Sequence, residues 1–411
     1  MPLIIHAPDN TIGERARTKL GLHETFPQAP NPVSEHPTIH WTEAGETRSA
    51  QWRSESGLPP PKRVVIADDR TTADSAYHMA CEGTAMLWRG DFQNARQLLQ
   101  AIARRADRPP RKPRAAPTSP QDAFNQYRLS QSQRARTLGM LLLQFQEDHT
   151  LRLRRAPDVR GACEEAYGAA PGRYVTSMRE LLGIIGAHEW RKKGIELPAL
   201  GARIHPHYGV FSPVRSEYVQ LVAEAPLPST DLALDIGTGT GVLAAVLARR
   251  GVARVIATEQ DPRALACARD NIERLGLSTR VQVIAADLFP QERAPLVICN
   301  PPWVPARPSS PIERAVYDPD GRMLHAFLEG LADHLLPGGE GWLVLSDLAE
   351  HLGLRSREAL LAAFDQAGLT VIARTEVRPT HQKASDSSDA LHAARAAEIT
   401  SLWRLGAGKN H

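Results

Sequence analysis

The sequence predicts an α/β protein. Residues 195–411 read as a wound, mostly parallel sheet of seven strands, preceded by a mostly α-helical region over 61–194 and an irregular segment over 1–60. Three observations predict this. From Leu232 onward, short apolar runs alternate with stretches of helical spacing, as strands joined by crossover helices do. The first of those runs ends in a glycine-rich turn. Ahead of residue 195, apolar residues recur mainly at helical intervals.

The opening segment is rich in Pro, Ser, Thr, Glu and His, shows little periodicity and ends in Leu58-Pro-Pro-Pro61, so irregular chain is expected there. Arg63-Val-Val-Ile-Ala67 reads as a short buried strand. Met79, Met86 and Leu87, then Ala95, Leu98, Leu99 and Ile102, give helical spacing from Ala76 to Arg105, interrupted near Gly90. A proline-rich basic linker near 108–120 follows. Phe124 to Leu153 again reads as helix, with Leu138, Leu141, Leu142 and Phe145 as its stripe, and a further helix is expected over Arg173 to Lys193. Ile195 to Ile204 looks like a hairpin.

The seven strands of the last part centre on Ala233–Asp235, Val255–Thr258, Val281–Ile284, Leu296–Cys299, Gly341–Leu345, Leu369–Ala373 and Ile399–Trp403. Helical segments over 242–250, 263–275, 324–335 and 357–367 lie between them. No internal repeat is visible.

Across 411 residues the formal charge is +3, so charge alone identifies no nucleic-acid partner. Hydrophobic content of 42% is that of a globular chain, and the length favours more than one domain. Four cysteines without CxxC pairing argue against a disulfide framework or a zinc site and fit a reducing, cytoplasmic location. No signal peptide and no membrane-length apolar run are seen.

Asp235-Ile-Gly-Thr-Gly-Thr-Gly241 sits between the first strand and a helix, where glycines allow the sharp turn and close approach that a nucleotide-like ligand requires. A dinucleotide fingerprint would continue with glycine at 242, but Val242 stands there, which disfavours a nicotinamide oxidoreductase. Glu259 ends the second strand about 20 residues on, where a carboxylate grips a ribose diol. Asp287 after the third strand can accept from an adenine amino group, with Leu288 or Phe289 flanking the ring; a turn acid is the plainer alternative.

Leu296-Val-Ile-Cys-Asn-Pro-Pro-Trp303 puts Asn300 at the carboxyl edge of the sheet, where wound sheets bind ligands. The Asn300 side-chain oxygen and the Pro301 carbonyl can take both hydrogens of a planar NH2 group, while Trp303 offers a stacking face. Such a nitrogen is a weak nucleophile, and orientation against a methyl donor can supply roughly 7–11 kcal/mol.

On these residues, 205–405 resembles the class I (Rossmann-like) S-adenosylmethionine-dependent methyltransferases, within the Asn-Pro-Pro-aromatic group that methylates amide or amine nitrogens. Asn300-Pro-Pro-Trp303 and Ala315–Arg322 resemble the release-factor glutamine methyltransferases. Tyr208-Gly-Val-Phe-Ser212 resembles the small-domain ribosomal guanine methyltransferases. Trp303 replaces the usual Tyr or Phe, and Ser212–Glu217 matches the glutamine branch only loosely. The resemblance implies S-adenosylmethionine held by Phe211, Asp235, Gly237, Gly239, Gly241, Glu259, Asp287, Leu288 and Asn300. It makes Asn300, Pro301 and Trp303 catalytic. The acceptor would be a macromolecule: a glutamine in a translation protein first, an rRNA or DNA base amine second. A cofactor-binding scaffold without turnover is the alternative outside enzymology.

Lesser features have plain readings. His205-Pro-His207 lacks further ligands, so no metal is expected. Arg152–Arg155 can contact RNA phosphates or form a solvated face. Residues 380–389 read as a polar loop. Trp342 and Trp403 read as core.

Overall fold

The computed structural model describes residues 37–108, 116–170, 172–214, 216–308, 311–379 and 389–408. The first 36 residues, most of the basic linker, Arg215 and nearly all of the 380–389 loop lie outside them.

The amino-terminal half holds a mixed six-stranded sheet. Its elements are β1 (Thr38–Glu43), β2 (Glu46–Trp52), β3 (Arg63–Ala67), α1 (Ala73–Cys81), β4 (Thr84–Trp88) and α2 (Phe92–Ala106), then α3 (Pro120–Leu138), β5 (Leu141–Phe145), α4 (Arg160–Tyr167), β6 (Tyr174–Ser177) and α5 (Met178–Lys193). The strand order is β1-β2-β6-β5-β4-β3. One face packs on the helices through Met86, Trp88, Phe92, Ile102, Leu141, Phe145 and Leu181. The other is lined by Ile39, Trp41, Trp52, Leu87, Leu142 and Val175.

This corrects the expectation in four places. The strand expected at 63–67 forms, but at the sheet edge it is mostly exposed, with only Ala67 buried. Residues 38–52 form a hairpin, not irregular chain. Its two-residue turn, Ala44-Gly45, takes positive φ at both positions (52° and 82°), the geometry that matches strand twist. The supposed helical stripe residues Met86 and Leu87 lie in β4, and Leu141, Leu142 and Phe145 lie in β5. Every residue of β4 is buried, so its apolar run carries no alternation to distinguish it from a helix. The start of the helix expected from Arg173 is strand β6; Ser177 caps α5 by accepting from Glu180 N.

The second half opens with the hairpin β7 (Ile195–Leu197) and β8 (Ala202–Ile204), as expected, then α6 (Glu217–Glu224). There follow β9 (Leu232–Ile236), α7 (Val242–Arg249), β10 (Arg254–Glu259), α8 (Pro262–Arg274), β11 (Val281–Ala285) and β12 (Ala294–Cys299). The chain continues through α9 (Arg322–His334), β13 (Leu335–Ser346), α10 (Leu348–His351), α11 (Arg357–Gln366), β14 (Leu369–Val377), α12 (His392–Ala397) and β15 (Thr400–Ala407). The seven strands run in the order β11-β10-β9-β12-β13-β15-β14, and β15 alone is antiparallel to its neighbours. Trp342 is fully buried in β13 and Trp403 is buried in β15, as core residues.

The order fixes where a ligand can lie. The chain leaves β9 toward β10 and β11, then returns to place β12 on the other side of β9. In wound sheets such a reversal is where connections diverge and a ligand is received at the carboxyl edge.

If the hairpin belongs to the core, Trp52→Ala should lower stability by about 3–5 kcal/mol in urea titration, the loss typical of a buried indole. An irregular segment would change it by less than about 0.5 kcal/mol.

Candidate active site

Parallel pairing sets Cys299 of β12 opposite Ile236 of β9, so Asn300 emerges one strand away from Gly237, about 4.8 Å across. On the other side Thr258 of β10 pairs with Ile236, and Glu259 pairs with Ala285 of β11. Along the carboxyl edge the order is therefore the Asp287 loop, Glu259, the glycine turn and Asn300.

The glycine turn is built by Asp235. Its carboxylate is buried and accepts from Thr238 Oγ1 at 2.6 Å and from Ala244 N at 3.0 Å, tying the turn to the first residues of α7. Burial pushes its pKa up to about 6, partly offset by those two hydrogen bonds. Asp235 thus shapes the binding loop from within, where the sequence suggested direct contact. Gly237, Gly239 and Gly241 all take positive φ, at 68°, 58° and 82°. A side chain at Gly237 would collide with Met323 Cε, whereas Gly239 faces open space.

Glu259 is oriented by three backbone donors: Gly239 N to Oε2 at 3.1 Å, and Gln260 N and Asp261 N to Oε1 at 2.9 and 3.0 Å. Asp287 is exposed. Leu288 holds φ at +64°, unusual for a branched aliphatic residue, and its carbonyl accepts from Thr258 Oγ1 at 2.6 Å. Phe289 stacks on His334 at 4.1 Å and on Phe327 at 5.8 Å, and both it and Leu288 are partly buried against the core that contains Phe327. Phe211 is half-buried, and its neighbour Val210 packs on Ala264 and Cys267 of α8.

After β12, Asn300 Oδ1 accepts from Trp303 Nε1 at 2.8 Å. The indole also lies edge-on to Tyr218, with ring centroids 6.5 Å apart. Among the described residues no hydrogen bond reaches the Pro301 carbonyl. The chain beyond is pinned by Val304 N to Val316 O and Asp318 N to Val304 O, at 3.1 and 3.0 Å. Asp318 in turn accepts from Met323 N at 2.7 Å at the start of α9, which sets Met323 over the glycine turn.

Sequence reasoning missed the part played by α3. Phe124 packs with Val304 and Tyr317. Arg128 donates to Glu313 Oε2 at 3.0 Å and to the Arg307 carbonyl at 2.6 Å, and lies 4.2 Å above the Tyr317 ring. On the cofactor side Arg263 donates to Glu55 at 2.6 Å. Nothing in the spacing of Arg128 or Glu55 signals a partner about 200 residues away.

His205 and His207 bond to the Arg191 carbonyl and to Asp270, and among the described residues no group of three metal-ligating side chains exists. Arg154 and Arg155 both donate to Asp91, which holds that carboxyl far below its usual range.

The methyltransferase small domain family profile matches residues 201–375. A tRNA1(Val) (adenine(37)-N6)-methyltransferase of Shewanella amazonensis is 31% identical over 43% of this chain and 76% of its own length. The chain belongs to the methyltransferase small-domain family. That family sits among the class I S-adenosylmethionine-dependent methyltransferases. A release factor glutamine methyltransferase of Cereibacter sphaeroides is 34% identical over 39% of this chain. The chain spans only 58% and 52% of the first two glutamine methyltransferases it matches. A methyltransferase structure from Pyrococcus furiosus overlaps 55% of this chain and 98% of its own at 19% identity, with a TM-score of 0.36.

The site fits the family's cofactor, S-adenosylmethionine: a glycine turn free of side chains at Gly239, an oriented carboxylate at Glu259 and an exposed one at Asp287 line one edge.

Two outcomes follow. Native Asp235 keeps its proton to about pH 6 and the unfolded chain only to about pH 4. Wild type should therefore lose stability relative to Asp235→Asn as pH rises between those values, by on the order of 2–3 kcal/mol in chemical denaturation; a flat difference would refute the burial effect. Arg128→Ala should raise amide exchange across 304–318 several-fold while leaving β9 and β12 protected.

Proposed function

We propose that this protein is an S-adenosylmethionine-dependent N-methyltransferase that modifies a planar amide or amine nitrogen of a macromolecule. The observation that supports the reading is the register of β12 on β9: Cys299 pairs with Ile236, so Asn300-Pro301 and the glycine turn leave neighbouring strand ends. S-adenosylmethionine supplies an electrophilic methyl group when bound. The chain's own residues do the rest. Glu259, Asp287 and Leu288 hold and flank the cofactor's nucleoside, the glycine turn admits its close approach, and Phe211 helps to cover it.

Asn300 Oδ1 and the Pro301 carbonyl each accept one N–H of the incoming NH2 group. With both hydrogens held in the plane, the nitrogen lone pair points out of that plane, toward the donor side of the crevice. The two accepting oxygens also polarise the N–H bonds toward nitrogen, which raises its electron density. The proton is released after nitrogen becomes cationic, so no basic side chain is needed beforehand. A glutamine side chain in a translation protein is the first acceptor to test, as the names of several relatives suggest. A base amine is the second, favoured by a tRNA adenine methyltransferase being the relative covered over 76% of its length.

Asn300→Ala should leave the affinity for S-adenosylhomocysteine within a few-fold, by calorimetry. It should lower radiolabelled methyl transfer to a cell extract by roughly 10²-fold or more. Fractionating the labelled product into protein and RNA assigns the acceptor class. Retained turnover in the variant would remove Asn300 from the mechanism.

A further inference from the structure

Trp303 follows Asn300-Pro-Pro at the position where a stacking ring is expected, yet its polar edge is turned toward the site's own asparagine. Nε1 donates to Asn300 Oδ1 at 2.8 Å. We infer that Trp303 is the positioning residue of the acceptor site: its indole N–H fixes which end of the Asn300 amide meets the incoming nitrogen. The inference rests on the N-methyltransferase reading given above.

A primary amide presents an acceptor at one end and two donors at the other, and a half-turn of its terminal torsion exchanges them. For an NH2 acceptor group the two orientations are opposite in effect. The oxygen receives an N–H; the amide nitrogen would meet it donor to donor. An indole can only donate, so Trp303 Nε1 bonds only to the oxygen, and a flipped Asn300 would leave that N–H unpaired in a half-buried place. The bond therefore selects the orientation that transfer requires. It leaves the second lone pair of Oδ1 for the acceptor.

The indole is suited to this because it cannot drift. It packs against the apolar clusters on both faces of the sheet and against the cluster that α3 completes. Tyr218, 3% exposed, stands edge-on against it. The next residue, Val304, is 1% exposed and tied at both its N–H and its carbonyl. A ring held on these sides acts as a fixed donor. Phe has no polar edge, and the hydroxyl of Tyr lies at the far tip of its ring, so neither replaces this bond.

The test compares wild type with Trp303→Phe and with a chain carrying benzothienylalanine at 303, which keeps the indole shape but has sulfur in place of N–H. Initial rates of tritiated methyl transfer from saturating S-adenosylmethionine are measured over a dilution series of one cell extract. Both variants should lose roughly tenfold or more in maximal rate, the factor that goes with one lost orienting hydrogen bond. The half-saturating extract dilution and the calorimetric affinity for S-adenosylhomocysteine should stay within threefold.

In 15N-tryptophan-labelled protein, the Trp303 indole proton should be protected from exchange and should shift upfield in Asn300→Ala. A wild-type rate with benzothienylalanine, whose packing is intact, overturns the positioning role even if Trp303→Phe fails to fold. An indole resonance indifferent to Asn300→Ala overturns it as well. Retained turnover in Asn300→Ala instead defeats the underlying reading, so the two failures are distinguishable.

Discussion

The pairing of β12 with β9 is the constraint on which the site depends. Leu296 opposite Ala233 and Cys299 opposite Ile236 make a parallel register, and in a sheet a slip of one residue turns every side chain to the other face. Both strands are buried on two sides, so the register is held by the whole core, not by the loops. The loops inherit their separation from it. The glycine turn and Asn300 come within one strand spacing because their last strand residues are neighbours.

Around that edge the chain supports its functional groups from behind. Asp235 folds the turn without reaching out of it. Three backbone N–H groups aim Glu259, and an indole aims Asn300. Asp318 starts α9 and thereby seats Met323 against Gly237. The amino-terminal half is tied to the second half at two places, through Glu55 on Arg263 and Arg128 on Glu313. Its sheet also stands on its own core, with helices on one face and the β1–β2 hairpin contributing to the lining of the other.

Much of the second half was legible in the sequence because its signals are local. Glycines 237, 239 and 241, Glu259 at a strand end and Asn300 after an apolar run all report their places through neighbours in the chain. The amino-terminal half was less legible. Met86–Trp88 and Leu141–Leu143 are strands buried on both faces, and such runs have no period to read. Ala44-Gly45 makes a tight turn without the Asn-Gly pair that would announce it. Arg128 and Trp303 show a third limit: a side chain's partner depends on folded geometry, and nothing in the sequence signals that the ring expected to stack also donates to Asn300.

The first hairpin has a further consequence for how the chain is made. Gln51 and Trp52 pair with Tyr174 and Val175, and Glu55 N bonds to Glu180, 125 residues later. At ordinary translation speeds the hairpin emerges roughly 6–25 s before the strand it must join. During that wait Trp41 and Trp52 lack Val175, although Ala85 and Leu87 of the same cluster are made sooner. Until β6 arrives the hairpin holds its own antiparallel pairing but lacks the parallel neighbour that ties it to the sheet.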